Sequence, residues 1–403
     1  MKNKRRIGFD GLFADAARGA GTWAYAVNLI EELANLDRQT EFCVFLAAGA
    51  AGRFPLRLAN LRVVPCRLAG SVAARLAYQN LILPLHARAL KVDLIHSLGN
   101  YGPAEPLARS LVTVHDLLPF FDGEIVPGAY FRMRARALDI LMRRSLQRAD
   151  GIIAVSEFTR TLLLERYPFV RGKVRVIYNG TPGLRGSSRT DAAEFRERYG
   201  IRGPYILAVG IYPPHKNVER LISAFALLKE SAQIPHQLVL AGAPGPDAAA
   251  LVRRAACGST QSVVFAGFVP DQDLSALYSS AELFVYPSLM EGFGLPLLEA
   301  MKHRVPVACS NSGPLPEVAG NAALFFDPRE VAEIARAMRR LMDDRDFRSQ
   351  LIERGVRRAE RFSFRASAEQ MLDTYERILT PRRETGCERG SRKREHAWNR
   401  SNL

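Results

Sequence analysis

The sequence predicts an α/β protein built from two doubly wound domains that face a central cleft. Three observations carry that expectation. Short apolar runs of strand length alternate with amphipathic stretches along the body, the pattern of parallel strands joined by crossover helices. At 403 residues the chain exceeds the size at which one hydrophobic core stops growing. From Gly180 to Asp191 the alternation stops at turn formers without periodicity, so an interdomain linker belongs there.

In the first half the expected strands are Arg5–Phe9, Phe42–Leu46, Leu61–Val64, Leu94–His96, Leu111–Val114, Gly151–Val155 and Val174–Ile177, with helical segments such as Thr22–Asn35 between them. A second series follows at Tyr205–Val209, Gln237–Ala241, Val263–Ala266, Leu283–Tyr286 and Val305–Ala308. The expected domains are 1–185 and 190–362, with a helix over 363–380 that returns toward the first domain and a basic tail over 381–403. The halves share no sequence repeat. Sheets of this kind bind ligands outside the carboxyl ends of their strands, so residues at those ends are the first candidates for a site.

With 48% hydrophobic and 24% charged residues, the composition is that of a folded globular protein. The five cysteines, Cys43, Cys66, Cys257, Cys309 and Cys387, form no Cys-x-x-Cys pair, which argues against a zinc site or a disulfide framework and for a reducing cytoplasm. After the basic start Met-Lys-Asn-Lys-Arg-Arg, Asp10 falls where the apolar part of an export signal should begin. No run is long and apolar enough to span a bilayer. The net charge of +15 calls for a phosphate-bearing partner. Part of the charge lies in the tail and part in a helical stretch, at Arg132, Arg134, Arg136, Arg143, Arg144 and Arg148. Either that helix face is simply solvated, or it meets anionic lipid headgroups or a lipid-diphosphate acceptor. Nucleic acid is not expected, because the stretch Arg132–Arg148 has no interleaved aromatic residues.

The most informative stretch is Tyr286-Pro-Ser-Leu-Met-Glu291-Gly-Phe-Gly-Leu-Pro-Leu-Leu-Glu299-Ala-Met. Gly292 and Gly294 oppose helix and Pro296 suits a first helical position, which puts Glu291 on a tight loop and Glu299 in the first turn of a helix starting near Pro296. Amides of Phe293, Gly294 and Leu295 at a helix N-terminus make an anion site, and the flanking carboxylates accept hydrogen bonds from hydroxyls. Such a site fits a diphosphate with a sugar at each end. Gly210-Ile-Tyr-Pro-Pro-His215-Lys216-Asn217 ends a strand in a loop whose Lys216 can neutralise diphosphate, with His215 as a second cation whose charge depends on pH. Arg18-Gly19-Ala-Gly21-Thr22 sets glycines before a helix with Thr22 as N-cap, which a cap without a ligand also explains. His115-Asp116 follows a strand at its cleft-facing end, where a lone histidine is otherwise structural.

Read together, these segments resemble the retaining glycosyltransferases of family 4 (glycosyltransferase group 1) with the GT-B fold of two Rossmann-like domains, over about Gly19 to Asp327. Glu291 to Glu299 matches that family's Glu-x7-Glu motif. The resemblance implies that Glu291 and His115 hold the donor sugar, and that Lys216, Gly21 and the amides of Phe293, Gly294 and Leu295 hold sugar and diphosphate. It further implies that Phe268 and Val269 hold the base and Glu299 the ribose, with His115, Lys216 and Glu291 serving catalysis. The first domain would take the acceptor and the second the nucleotide sugar. Segments around Ser156, Asn179 and Glu317 also match the family. Ile211 stands where many members carry a basic residue, and His215 where arginine is common. The implied reaction is hexose transfer from a nucleotide diphosphate sugar to a glycan or lipid-linked hydroxyl, in polysaccharide or glycoconjugate synthesis. The Val-His-Asp-Leu and Lys-Asn variants look most like mannosyltransferases that use GDP-mannose.

No Asp-x-Asp metal motif sits at a strand end, so neither a metal nor a cofactor is expected. Retention by front-face attack and retention through a covalent sugar–carboxylate intermediate both stay open. Two other classes compete: an epimerase or hydrolase of the same architecture, and a non-enzymatic binder of lipid or nucleic-acid surfaces. The expected location is the cytoplasm, peripheral to the inner face of the cell membrane.

Overall fold

The computed structural model describes residues 4–13, 20–67, 71–120, 129–182, 192–210, 214–242 and 262–380. Residues 183–191 of the expected linker, the tail, Ile211, and the side chains of Arg132 and Arg134 lie outside that set.

The first sheet contains β1 (Arg6–Asp10), β2 (Glu41–Ala47), β3 (Leu61–Cys66), β4 (Leu94–Ser97), β5 (Arg109–Val114), β6 (Gly151–Ala154) and β7 (Val174–Val176). The second contains β8 (Tyr205–Val209), β9 (Gln237–Ala241), β10 (Val263–Gly267), β11 (Leu283–Tyr286), β12 (Val307–Ser310) and β13 (Leu324–Phe326). All pairings are parallel, in the orders β3-β2-β1-β4-β5-β6-β7 and β10-β9-β8-β11-β12-β13. Helices cover both faces of a doubly wound sheet, which is why β4, β6, β11 and β12 are buried along their whole length and read as unbroken apolar runs. In each sheet the winding reverses once, between β1 and β4 and between β8 and β11. Crevices open at such reversals, so the loops after β8 and β11 are placed to bind a ligand.

Two differences from the sequence reading have local causes. The expected strand Val305–Ala308 lies two residues later, at Val307–Ser310: Pro306 has no amide to give a ladder, and only its carbonyl engages, accepting from Phe284 N at 2.9 Å. The edge strand β13 had no counterpart among the expected strands, being only three residues long.

After β7 the chain crosses to the second domain through Ile177–Pro182 and comes back at Phe362–Phe364. The two crossings touch at Gly180, where an added Cβ would lie 2.0 Å from Phe364 N, and Thr181 N donates to Phe362 O at 2.9 Å. The returning helix Phe364–Leu379 packs Phe364, Ala368, Met371 and Tyr375 into the first domain's core with Ile7, Phe9, Leu29 and Ile30. Tyr375 also hydrogen-bonds the buried His96 at Nδ1 (2.7 Å), while Thr113 bonds its Nε2 (2.8 Å). Burial pushes His96 down to about 3, so it is neutral when folded.

Candidate active site

At the end of β8, Gly210 turns the chain with φ +76°. Seven residues on, Asn217 takes the left-handed conformation (φ 59°) and caps the helix Val218–Ala232. Its buried Nδ2 donates to Pro287 O at 3.0 Å and Pro328 O at 2.6 Å, tying this loop to those after β11 and β13. Lys216 is thereby aimed at the β11 loop. Its Nζ donates to Tyr286 OH at 3.0 Å and to Glu291 Oε1 at 2.6 Å, with the two charged side chains only 15% and 10% exposed. Burial pushes the Glu291 carboxyl up, but the Lys216 charge and hydrogen bond outweigh it and hold the group below its ordinary value. His215 behaves differently from the expectation of a pH-dependent cation. Burial first, and then the Lys216 charge, depress it to about 4, so it is neutral through the physiological range, and its carbonyl serves the fold by accepting from Leu289 N at 2.7 Å.

Beyond Glu291 the backbone turns into the helix Leu295–Lys302 through Gly294, whose φ of 103° and an added Cβ 2.7 Å from Leu315 both require glycine. The helix begins one residue earlier than expected, with Pro296 second. Glu299 is therefore its fifth residue, in the second turn rather than the first. It stays on the same end because helical side chains lean toward the N-terminus. One of its oxygens accepts from Tyr278 OH at 2.8 Å. His303 fixes Tyr278 from behind: it stacks on that ring at 5.4 Å and bonds Glu299 O through Nδ1 at 2.8 Å. The Phe293 side chain is buried against Phe362 and Tyr178, which leaves its backbone for the loop. At the end of β10, Gly267 (φ 66°) presents Phe268 to solvent with 56% of its surface exposed, while Val269 turns into the core.

Across the cleft, His115 directly follows β5. The Oδ1 of Asn100, itself at φ 54°, accepts from His115 N (2.7 Å) and Asp116 N (3.3 Å) and so fixes this strand end. His115 Nε2 donates to Leu98 O at 2.8 Å and the ring meets Tyr25 edge-on at 4.7 Å. Burial lowers it to about 4, which leaves a neutral imidazole with the proton on Nε2. Asp116, named in the sequence beside His115 but given no role of its own, is half-buried beside the pair Lys216–Glu291. Burial foremost, and then the Glu291 charge, raise its carboxyl. Its signal was its neighbour: a strand-end position adjacent to a candidate. The domains meet closely here. An added Cβ on Gly292 would lie 1.8 Å from His115 O and 3.2 Å from Asp116 Cβ, and Ser156 Oγ donates to Gly292 O at 2.9 Å.

Gly21 is exposed in open space within the first turn of the helix Ala20–Leu36, and Gly19 lies outside the described residues. Thr22 is the third residue of that helix rather than its cap.

The structure thus brings Lys216, Glu291, Asp116 and His115 to one place, with Glu299 and Tyr278 one helical turn away. It offers a cation, backbone amides at a helix start and carboxylates on both sides of a cleft.

Known proteins sharpen this picture. Residues 191–358 match the family described as glycosyl transferases, group 1, and residues 19–182 match glycosyltransferase family 4. The chain is 31% identical over 372 residues to the O-antigen chain mannosyltransferase B of Escherichia coli, covering 88% of this chain and 95% of that protein. It is also 31% identical over 290 residues to the serotype-specific mannosyltransferase WbdA of Escherichia coli, covering 70% of this chain but 35% of that larger protein. Among solved structures, the sucrose-phosphate synthase of Thermosynechococcus elongatus superposes with a TM-score of 0.73 at 22% identity, covering 93% of this chain and 99% of that one, which speaks for the shared two-domain fold.

Proposed function

Because the chain belongs to the family of group 1 glycosyl transferases and is a glycosyltransferase with the GT-B fold, we propose that it moves mannose from GDP-mannose, with retention, to a hydroxyl of a glycan or lipid-linked glycan in polysaccharide synthesis. The observation that carries the proposal is the buried ion pair Lys216–Glu291 at the point where the second sheet reverses its winding, facing His115 and Asp116. A diphosphate at Lys216 exchanges one anionic partner for another and frees Glu291 for sugar hydroxyls. The amides of Phe293, Gly294 and Leu295 and the helix dipole add to the stabilisation of the leaving phosphate. With His115 and His215 neutral, Lys216 carries the positive charge of this cluster, and no metal is required. Glu299, steadied by Tyr278, takes the ribose, and Phe268 offers a flat apolar face to the base. Mannose is favoured over other hexoses by the mannosyltransferase named above, 31% identical across 88% of the chain.

Purified protein, incubated with a panel of nucleotide sugars and glycan acceptors, should release GDP and extend the acceptor only with GDP-mannose, in the presence of a chelator. Release of UDP instead refutes the donor, loss of turnover to the chelator refutes metal independence, and free mannose without extended acceptor favours a hydrolase.

Peripheral attachment to a membrane belongs to the same proposal. No helix among the described residues is long and apolar enough to cross a bilayer. Of the ten exposed large hydrophobic residues described, Val72, Leu81, Ile82, Leu85, Leu107, Ile140 and Phe169 all lie on the first domain. Right-handed crossovers from β3 to β4 and from β5 to β6 put their helices on the same face of the sheet. The loop between them is bonded to both, by Ala104 N to Asn80 Oδ1 at 2.9 Å and Gly102 N to Ser145 Oγ at 2.7 Å. Arg88, Arg143, Arg144 and Arg148 are exposed on the same helices, which gives apolar insertion and anion attraction together. The fold does bring aromatic rings to this basic helix, with Arg143 over Tyr167 (5.5 Å) and Phe169 (5.7 Å), contrary to the expectation from its own sequence. Exposed aliphatic side chains beside them favour lipid over nucleic acid.

A further inference from the structure

The helix Glu157–Arg166 of the first domain starts at the cleft, and its first three amides need partners from outside the helix. Ser156 supplies one in the usual way, its Oγ accepting from Thr159 N at 3.0 Å. The other two are satisfied from the opposite domain. Glu317, in the short helix Leu315–Ala319 after β12, accepts from Glu157 N at 2.7 Å with Oε1 and from Phe158 N at 3.0 Å with Oε2. The helix carrying Glu317 is itself held, since Arg358 donates to Glu317 O (2.6 Å) and Val318 O (2.8 Å). The same helix start also grips the donor loop: Ser156 Oγ donates to Gly292 O at 2.9 Å and Thr159 Oγ1 at 3.3 Å. Thr159 Oγ1 also reaches His115 O at 3.4 Å. One helix N-terminus therefore sits between the Glu317 carboxylate and the Gly292 carbonyl.

We infer that Glu317 is a positioning residue that caps the opposite domain's helix only when the cleft is closed, and so couples closure to the meeting of His115 and Asp116 with Lys216 and Glu291. Opening the cleft parts both amides from the Glu317 carboxylate at once and leaves that carboxylate with the Tyr178 hydroxyl and the Arg358 charge beside it. The bidentate arrangement is charge-assisted and stands on the positive end of a helix dipole. It is also directional, since only a rotation that returns Gly292 to His115 restores both oxygens to their amides. The role in turnover rests on the transferase reading above, while the role in closure does not.

The test exploits the helix start. Ser156 is extended (φ −153°, ψ 160°), as a residue before proline must be, and proline is favoured at a first helical position. Glu157→Pro therefore removes one of the two donor amides and leaves the helix intact, and Glu157→Ala controls for its side chain. Loss of charge-assisted bonds of this kind should cost about tenfold to a hundredfold in the closed population. Glu317→Ala and Glu317→Gln are expected to lower kcat by at least about tenfold with the Kd for GDP or UDP nearly unchanged. X-ray scattering with that nucleotide present should show a larger radius of gyration for both variants than for the unaltered protein. Glu157→Pro should fall between them and Glu157→Ala, and combined with Glu317→Ala should add nothing. A Glu317→Ala protein with unaltered kcat and radius overturns the inference, as does a kcat loss accompanied by a lower Tm and an unaltered radius. If the unaltered protein turns over no nucleotide sugar, the transferase proposal fails, and the scattering comparison still decides the closure role.

Discussion

Replacing Lys216 with alanine should injure stability and turnover together, and in a pH-dependent way. The variant leaves the Glu291 carboxylate, 10% exposed, without the ammonium 2.6 Å away. Breaking one side of a buried pair costs about 3–5 kcal/mol, and for a domain of this size about 2–4 °C in Tm accompanies each kcal/mol. A fall of roughly 6–20 °C at pH 8 follows from those two figures. In the unaltered protein the folded Glu291 lies below its unfolded value, so the pair stabilises above the unfolded pKa and that contribution is lost as pH falls through the folded one. In the variant burial is no longer outweighed by the ammonium and raises the same carboxyl, so the penalty grows with pH and shrinks toward pH 5 as Glu291 takes up a proton. Calorimetry of both proteins at pH 5 and pH 8 measures the difference, and Lys216→Met combined with Glu291→Gln should recover most of the lost Tm at pH 8. Turnover should fall about 10²–10³-fold, as when one preorganised donor to a developing charge is removed. An equal Tm penalty at both pH values, or turnover within tenfold of the unaltered enzyme, would sink the argument that one buried pair serves both ends.

Four further expectations come from the same geometry. Tyr278→Phe removes one hydrogen bond to Glu299, worth about 1 kcal/mol, and should raise the KM for the nucleotide sugar roughly fivefold with kcat little changed; an unchanged KM would dissociate Glu299 from the nucleotide. Gly180→Ala drives a methyl into the Phe364 backbone where the two crossings touch, and should lower the Tm by several degrees, about 1–3 kcal/mol of overpacking, as calorimetry would show. His96 and His115 are depressed to about 3 and about 4, so the folded state binds fewer protons than the unfolded one, and stability should fall as pH drops from about 6.5 toward 4, by up to about 1.4 kcal/mol per histidine for each pH unit. Urea titrations at pH 5 and 7 would read it. The kcat/KM profile, by contrast, should show no step near pH 6.5, and a step there would assign a working charge to a histidine this fold keeps neutral.

The sheets were legible because strands buried on both faces write their burial directly into the sequence as unbroken apolar runs, and Leu283–Tyr286 or Tyr205–Val209 needs no partner to be recognised. Leu324–Phe326 was not, since three residues carry no periodicity, and its place at an edge is decided by β12. In the site, Lys216 and Glu291 could each be picked from a motif, but their contact could not: 75 positions separate them, and the bond depends on Asn217 adopting a left-handed turn. Asp116 was given no role and Tyr278 was missed, for a related reason. Each matters through a residue brought to it by the fold, Glu291 and Glu299 respectively, and neither motif spacing nor charge pattern records such a pairing.

The electrostatics of the cleft follow from how its charges are buried. Both nearby histidines lose their charge to burial, and Asp116 is pushed toward protonation, so the cluster's firm charges are those of Lys216 and Glu291, which cancel. A buried ion pair costs less to fold than either charge left uncompensated at the same depth. On the proposed reading, Glu291 is the partner that Lys216 keeps until an anion replaces it. That replacement would leave the lysine with an anionic partner and free the carboxylate for sugar hydroxyls. Glu291→Gln should accordingly weaken the enzyme twice over, by losing a sugar contact and by leaving the Lys216 ammonium without its buried partner, so both turnover and Tm should fall. A Glu291→Gln variant with unaltered Tm and turnover would show that Lys216 needs no buried partner.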